Sequence, residues 1–160
     1  MADSVRKQIR LALVARLQEI RTTAGYHTDG GLHVRHGEPL DTSQFDPPVA
    51  IGLVKGDPEI EGEPTLERTA TFRWPFTARG AIYSDPERPL DLPGEDLLAD
   101  LKRAIFQRDA GSEKVTLGGL VDDIEAAPGE QVDDRSEAGQ DTATCGLPFV
   151  VLFQEGYGAP

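Results

Sequence analysis

The chain has 160 residues, a formal net charge of −12 and one cysteine. This length suits one domain, spanning 1–160, with a modest hydrophobic core. A lone Cys145 excludes an intramolecular disulfide, so nothing indicates an oxidising compartment. The longest apolar run, Phe149 to Phe153, is far shorter than the ~20 residues that a membrane-spanning helix needs. Met1 to Arg10 lacks the apolar core of a signal peptide. These features favour an intracellular protein that does not enter a membrane.

The N-terminal segment has the pattern of an amphipathic helix. Ser4 can cap a helix that begins at Val5, and Gly25 is placed to end it in the left-handed conformation. This spacing predicts one helix of about twenty residues with a single apolar stripe. The stripe consists of Val5, Ile9, Leu13, Leu17 and Ile20.

The next stretch predicts strands separated by loops rich in proline and glycine. Pro75 lies inside an alternating strand pattern, which predicts an edge position, a bulge or an early end of that strand. Strands are predicted at Leu32–Arg35, Val49–Val54 and Leu66–Thr77, with Ala78–Tyr83 continuing the last one after a break, and loops at Lys55–Pro64 and Ser84–Pro93.

The second half predicts one more helix and the remaining strands. The segments are a helix at Gly94–Arg108, short strands at Val115–Leu117 and Val121–Ile124, a mobile acidic loop at 126–142 and a strand at Thr144–Tyr157. The last strand has apolar residues on both faces, which predicts that it is covered on both sides. The order helix, strands, helix, strands predicts an α+β fold, in which one mostly antiparallel sheet carries two packed helices and long Pro/Gly-rich loops.

The charge is unevenly distributed. Residues 1–26 carry five basic and two acidic side chains, so the rest of the chain is strongly acidic. A basic helix on an acidic body could pair with an acidic neighbour, which makes Arg6, Arg10 and Arg21 a candidate subunit interface. The alternative is a solvated surface whose charge keeps a small protein in solution.

No group of residues predicts an active site, so no catalytic, cofactor-binding or metal-binding residue is assigned. His27, His33 and His36 lie close in sequence, but no recognised ligand spacing accompanies them, so loop histidines are favoured over a metal site. Cys145 opens an apolar strand and is better explained as a core residue than as a nucleophile. The acids around Asp122 lack the spacing of a calcium loop, which favours a solvated acidic loop.

The layout of the whole chain resembles a known family of structural proteins. An N-terminal helix, "VRKQIRLALVARLQEI", precedes an extended "PPVAIGLVKGD", an aromatic strand "TATFRWPFTARG", a late helix "GEDLLADLKRAIF" and a terminal strand "LPFVVLFQEGY". In order, length and local character this resembles the tail terminator proteins of long-tailed bacteriophages, which are also called tail completion or minor-tail-protein-U-like proteins.

The resemblance implies a virion protein without enzymatic activity or cofactor. Its members form hexameric rings that end the tail tube at its head-proximal end and join it to the head connector. The implied partners are further copies of the chain, the tail tube protein and the head-tail connector proteins, with DNA passing through the lumen without specific binding. Assembly would take place in the host cytoplasm. The candidate residues for an acidic lumen or loop are Asp122, Asp123, Glu125, Asp133 and Asp134.

Two alternatives stay open at the level of sequence. One is a different neck or baseplate component of the virion with the same α+β scaffold. The other is a small-molecule-binding or enzymatic α+β domain, for which the three histidines would be the starting point.

Overall fold

The computed structural model describes residues 4–39, 47–62, 69–83, 91–137 and 140–156, and for 91–92, 134–137 and 140–141 it describes the backbone alone. Two α-helices and seven strands lie in these ranges. They are α1 (Val5–Gln18), β1 (Val34–His36), β2 (Val49–Lys55), β3 (Glu59–Glu61), β4 (Thr69–Tyr83), α2 (Asp91–Ile105), β5 (Asp123–Ala126), β6 (Gln131–Glu137) and β7 (Gln140–Gly156).

All seven strands belong to one mixed sheet of order β1-β2-β4-β7-β5. The strand β3 pairs with β4 on the same side as β2, and β6 pairs with β7 on the same side as β5. Only β1 and β2 run parallel; the other described pairs are antiparallel. The predicted α+β class with a mostly antiparallel sheet is therefore confirmed.

The core lies between the two helices and one face of the sheet. The aromatic residues of β4 that alternation assigned to one face, Phe72, Trp74 and Phe76, are buried there. They meet the fully buried Phe149 and Phe153 of β7, and the Phe76 and Phe149 rings stack at 5.6 Å. Each helix contributes one apolar stripe. The stripe of α1 includes Ile9, Leu13 and Leu17, and the stripe of α2 includes Leu97, Leu98, Leu101 and Ile105.

The helix α1 is shorter than the sequence pattern predicts. It ends at Gln18, and Arg21 then has extended backbone angles. A separate 3₁₀ turn at Thr22–Ala24 follows, and Gly25 closes that turn with φ 85°. The prediction of a left-handed Gly25 is confirmed, but the single helix up to it is wrong. The reason is local, because the Asp29 carboxylate accepts hydrogen bonds from the Thr22 backbone N–H and hydroxyl and holds the separate turn.

Pro75 lies inside a strand that is paired on both sides, with no break. It pairs with Val150 of β7, and its carbonyl accepts a hydrogen bond from Gly56 N on the opposite side. On that side β2 ends at Lys55 and β3 begins at Glu59, so the missing proline N–H falls in the gap between two strands. The Gly56 carbonyl accepts instead from the Trp74 indole Nε1 at 2.9 Å, so the proline leaves no acceptor without a partner there, and β4 continues unbroken to Tyr83.

Further predicted segments differ from the structure. The acidic stretch 126–142, predicted as a loop, contains β6 and the start of β7, which form a hairpin because each strand completes the other's ladder. Likewise β3 lies within the predicted loop Lys55–Pro64. Val115–Leu117 is not a strand, since Leu117 has φ 50° and two glycines with positive φ follow it in a turn. Of the predicted loop Ser84–Pro93, residues 84–90 lie outside the described residues. Residues 91–93 belong to α2, which runs from Asp91 to Ile105 and not from Gly94 to Arg108, because a proline is tolerated in the first turn of a helix.

Candidate assembly interface

The sheet has two unlike faces, and only one of them is covered by the helices. Along β7, Phe149, Val151 and Phe153 are fully buried, whereas Val150 and Leu152, which point to the opposite side, are half-buried. The prediction that this strand is covered on both sides is therefore wrong for the described residues, because α1 and α2 pack on the same face. We call the opposite side the open face.

An apolar patch occupies the middle of the open face. Cross-strand pairing places Pro75 beside Val150 and brings Leu152 and Pro148 into the neighbouring rows of β7. Pro75 is exposed, and the others are half-buried. The apolar patch consists of Val54, Pro75, Pro148, Val150 and Leu152.

Carboxylates surround this patch and form an acidic rim. Arg73 in the same face forms ion pairs with Glu61 at 3.5 Å and with Glu125 at 3.6 Å. All three side chains are more than two-fifths exposed, so the pairs contribute little to stability. Strand pairing adds Glu59 and Asp123 to the same face. The acidic rim consists of Glu59, Glu61, Asp123 and Glu125, and it keeps a net negative charge after Arg73 is counted.

The three arginines predicted to form an interface do not lie together as one surface of α1. Arg6 donates from Nε to the Glu155 carboxylate at 2.8 Å, and its guanidinium lies 5.1 Å from the Phe72 ring centroid, so it is engaged within its own chain. Arg10 is half-buried on α1, where its charge adds to partial burial in lowering the pKa of His36. Arg21 is exposed but lies beyond the end of α1.

The surface of α1 that faces away from the core is partly apolar. Leu11 is 48% exposed, and Ala15, one turn later, is exposed as well. Lys7, one turn before Leu11, is also exposed. We call Leu11 and Ala15 the outer ridge of α1. Ordinary amphipathic patterning would place polar residues here.

The five candidate acids divide between two places. Asp123 has a structural role, since its carboxylate accepts hydrogen bonds from Val115 N and Ile124 N, and Glu125 pairs with Arg73. Asp122 and Asp133 are exposed, while only the backbone of Asp134 is described. The group is therefore not one acidic loop but the edge strand β5 and the β6–β7 hairpin.

The three histidines and the described acids near them are not grouped to hold a metal ion. Among the described residues, no group of three or more His, Cys, Asp or Glu side chains is arranged to hold a metal ion. His27 is exposed and bonds through its backbone N–H to Asp100. His36 lies on the short edge strand β1. Asp41 lies outside the described residues.

Cys145 is a core residue, as its sequence position suggests. Its thiol lies on the core face of β7, close enough to the α-carbon of Gly80 to leave no room for a side chain there. Burial raises its pKa to about 12. The thiol therefore stays protonated at neutral pH, and a thiolate nucleophile is not available.

We expect the native thiol of Cys145 to resist Ellman's reagent at pH 8 and to react fully once urea unfolds the chain. Because the thiol of the unfolded chain ionises near its ordinary pKa of 9.0, stability should also fall as pH rises from that value towards 12. A Cys145→Ala chain carrying Thr144→Cys, one residue away on the open face, is the matched control and should react while folded. Equal rates for both cysteines would contradict the assignment.

Among the described residues, open grooves border the sheet in at least two places. The larger, of about 480 Å³, lies on the open face, where Arg79 and Glu38 form an ion pair at 3.4 Å near Asp133. The smaller, of about 400 Å³, lies beside Asp29, Asp96 and Tyr83. Their charged groups are largely open to solvent, so neither groove has the buried, convergent polar groups of a ligand site.

The sequence pattern missed the polar contacts that join the helices to the rest of the fold. Asp100 on α2 is 1% exposed and accepts three hydrogen bonds from residues 27 and 28. Arg16 of α1 donates to the carbonyl of Gln107 at 2.7 Å, beyond the end of α2. Arg103 donates to Gly25 O at 2.7 Å and lies over the Tyr26 ring. In the sequence, the sign of these contacts is an aspartate, Asp100, at the margin of the apolar face of α2.

The fold and its surfaces together define an α+β protein whose sheet is covered by helices on one face only. Comparison with known proteins adds no family: no protein-family model and no curated protein matches the chain. Within the described residues, no helix is long and apolar enough to cross a membrane.

Proposed function

We propose that this chain is a structural virion protein that forms a hexameric ring at the head-proximal end of a bacteriophage tail. In this role the ring ends the tail tube and joins the tail to the head connector, and DNA passes through its lumen. The proposal starts from the resemblance of the whole chain to tail terminator proteins. The observed α+β fold is the one that this resemblance implies.

The observation that carries the proposal is the open face of the sheet. The apolar patch on this central pair of strands has an exposed Pro75 among half-buried neighbours, and its open area is costly in water unless another surface covers it. The strands beneath it are long, 15 residues in β4 and 17 in β7, so they offer a rigid platform of roughly 50 Å. A subunit that is buried on assembly needs such a surface, whereas a free-standing catalyst does not.

The acidic surface is consistent with a DNA conduit. Asp133 on β6 and Glu130 just before it are exposed, and Glu130 forms one ion pair, with Lys102. Carboxylates that line a lumen would repel the phosphates of passing DNA and prevent it from adhering. In the proposed ring the β6–β7 hairpin supplies these lumen carboxylates, because Asp123 and Glu125 are engaged within the open face.

Electron microscopy with mass measurement tests the proposal. The purified chain is added to the polymerising tail tube protein of the same phage, and tube lengths and tube ends are recorded. We expect rings of six subunits that bind one tube end and stop its growth. A chain that stays monomeric and leaves tube length unchanged would overturn the proposal. Rings that bind only the baseplate end would favour the alternative component of the tail.

A further inference from the structure

Helix α1 has a second apolar surface in addition to the stripe that packs on the core. The outer ridge lies about 180° around the helix from Leu13, because Leu11 is two residues away at about 100° per residue. Leu11 is one of three large apolar side chains that are strongly exposed in the described residues. A helix that is apolar on two sides has a second surface for a partner to cover.

Charge decides which surface can cover the ridge. If α1 packed in parallel on α1 of a second copy, the two Lys7 side chains would face each other and repel, and an antiparallel pairing would offer each Lys7 only one carboxylate, that of Glu19. If the open face packed on a second open face, the two acidic rims would repel in the same way. Around the ridge Lys7 and Arg10 outnumber Glu19, whereas the rim has four carboxylates and one arginine, so the unlike pairing has the stronger attraction.

The ridge is short enough to lie within the patch. From Leu11 to Ala15 the helix rises about 6 Å, and from Pro148 to Leu152 the apolar patch runs about 13 Å along β7. The ridge lies in the helix layer, on the other side of the core from the open face. One copy can therefore present its ridge to one neighbour and its patch to another.

We propose that the outer ridge of α1 packs on the apolar patch of a second copy of this chain, with Leu11 as the buried anchor. Such a contact joins two different surfaces, so it propagates from copy to copy and closes into a ring when the rotation allows. The closure of this contact into a ring rests on the proposed function. The proposed contact differs from the sequence-based interface, in which three arginines make the contact, because an apolar side chain now supplies the anchor.

The test uses one variant on each surface. Leu11→Asp places a charge on the exposed ridge, and Leu152→Asp places one in the patch. Each should weaken self-association roughly 10- to 100-fold, the effect of losing one buried leucine contact. Leu32→Asp, at a side chain that is 44% exposed elsewhere on the surface, is the matched control and should assemble normally. Sedimentation equilibrium measures association, and far-UV circular dichroism checks the fold.

Mixing the two variants distinguishes the possible pairings. Leu11→Asp keeps an intact patch and Leu152→Asp keeps an intact ridge, so an equimolar mixture should form heterodimers while each variant alone stays monomeric. If only one variant loses association, the contact joins like surfaces and the proposal fails. If Leu152→Asp does not fold, Glu59→Lys with Glu61→Lys on the exposed rim replaces it.

The outcomes separate this inference from the proposed function. If both variants assemble as well as the wild-type chain, the proposed interface is overturned and the ring proposal still stands. Wild-type chain that is monomeric at all concentrations would overturn the ring and this contact together. Raised salt should weaken wild-type association, since it screens the attraction between the basic ridge and the acidic rim.

Discussion

Phe149→Ala is expected to lower the free energy of unfolding by about 4 kcal/mol, the usual cost of emptying a buried phenylalanine site. Phe149 is fully buried in β7 between β4 and β5, and its ring stacks on Phe76 at 5.6 Å. Removing the ring leaves a cavity at the centre of the sheet that the paired strands cannot close. A small domain has only about 5–15 kcal/mol of stability, so a large fraction would be lost.

Urea unfolding followed by the fluorescence of Trp74 measures this loss. Trp74 is the only tryptophan of the chain, and its ring lies 4.6 Å from Phe76, so the signal reports on the same cluster. Phe106→Ala is the matched control, because Phe106 is half-buried at the edge of the core and should cost clearly less. Equal losses for the two variants would show that the Phe76–Phe149 stack is not the centre of the core.

Asp100→Ala is expected to lower the free energy of unfolding by about 3 kcal/mol, although the residue is polar. Its carboxyl oxygens accept from His27 N at 2.9 Å, Thr28 N at 2.8 Å and Thr28 Oγ1 at 2.7 Å. Without it, two backbone N–H groups and a hydroxyl lose their partner at a buried position, and each loss is costly. The connection between α1 and the sheet would loosen at the same time.

The conservative variant Asp100→Asn makes this test sharper. Both carboxyl oxygens accept from donors, so an amide NH₂ meets a donor in either orientation, and the asparagine should be destabilising despite its matching shape. Asp96→Ala on the exposed side of α2 is the control and should change stability by less than about 0.5 kcal/mol. An Asp100→Asn chain as stable as the wild type would mean that the hydrogen bonds contribute little.

The elements with a long, regular pattern could be predicted from sequence. Alternation along β4 separated Phe72, Trp74 and Phe76 from the polar face, and helical spacing identified the core side of both helices. Such patterns depend on local geometry alone. Predictions failed where a distant partner decides the structure. The polar segment Gln131–Glu137 has weak strand propensity, yet it forms β6 because β7 completes its hydrogen bonds.

The candidate interface was predicted only in outline. An uneven charge distribution was visible in the sequence, but the roles of individual arginines were not. Arg6 is engaged with Glu155, which is 149 residues away in the chain. Helical spacing left Leu11 outside the predicted core stripe, but it did not indicate a second surface there, because only the packing shows that no described residue covers this side chain.

By itself, the sequence determined the α+β class, the core faces of the regular elements and the contrast between a basic first helix and an acidic body. Each of these follows from residue periodicity or from charge counting, which need no long-range contact. The tertiary structure alone decided that both helices lie on one face of the sheet, that Pro75 falls in the gap between β2 and β3, and that the patch around Val150 is left open. These features depend on which strands pair and where the helices pack. The pattern of apolar residues in a half-buried strand can be the same as in a strand that is covered on both faces.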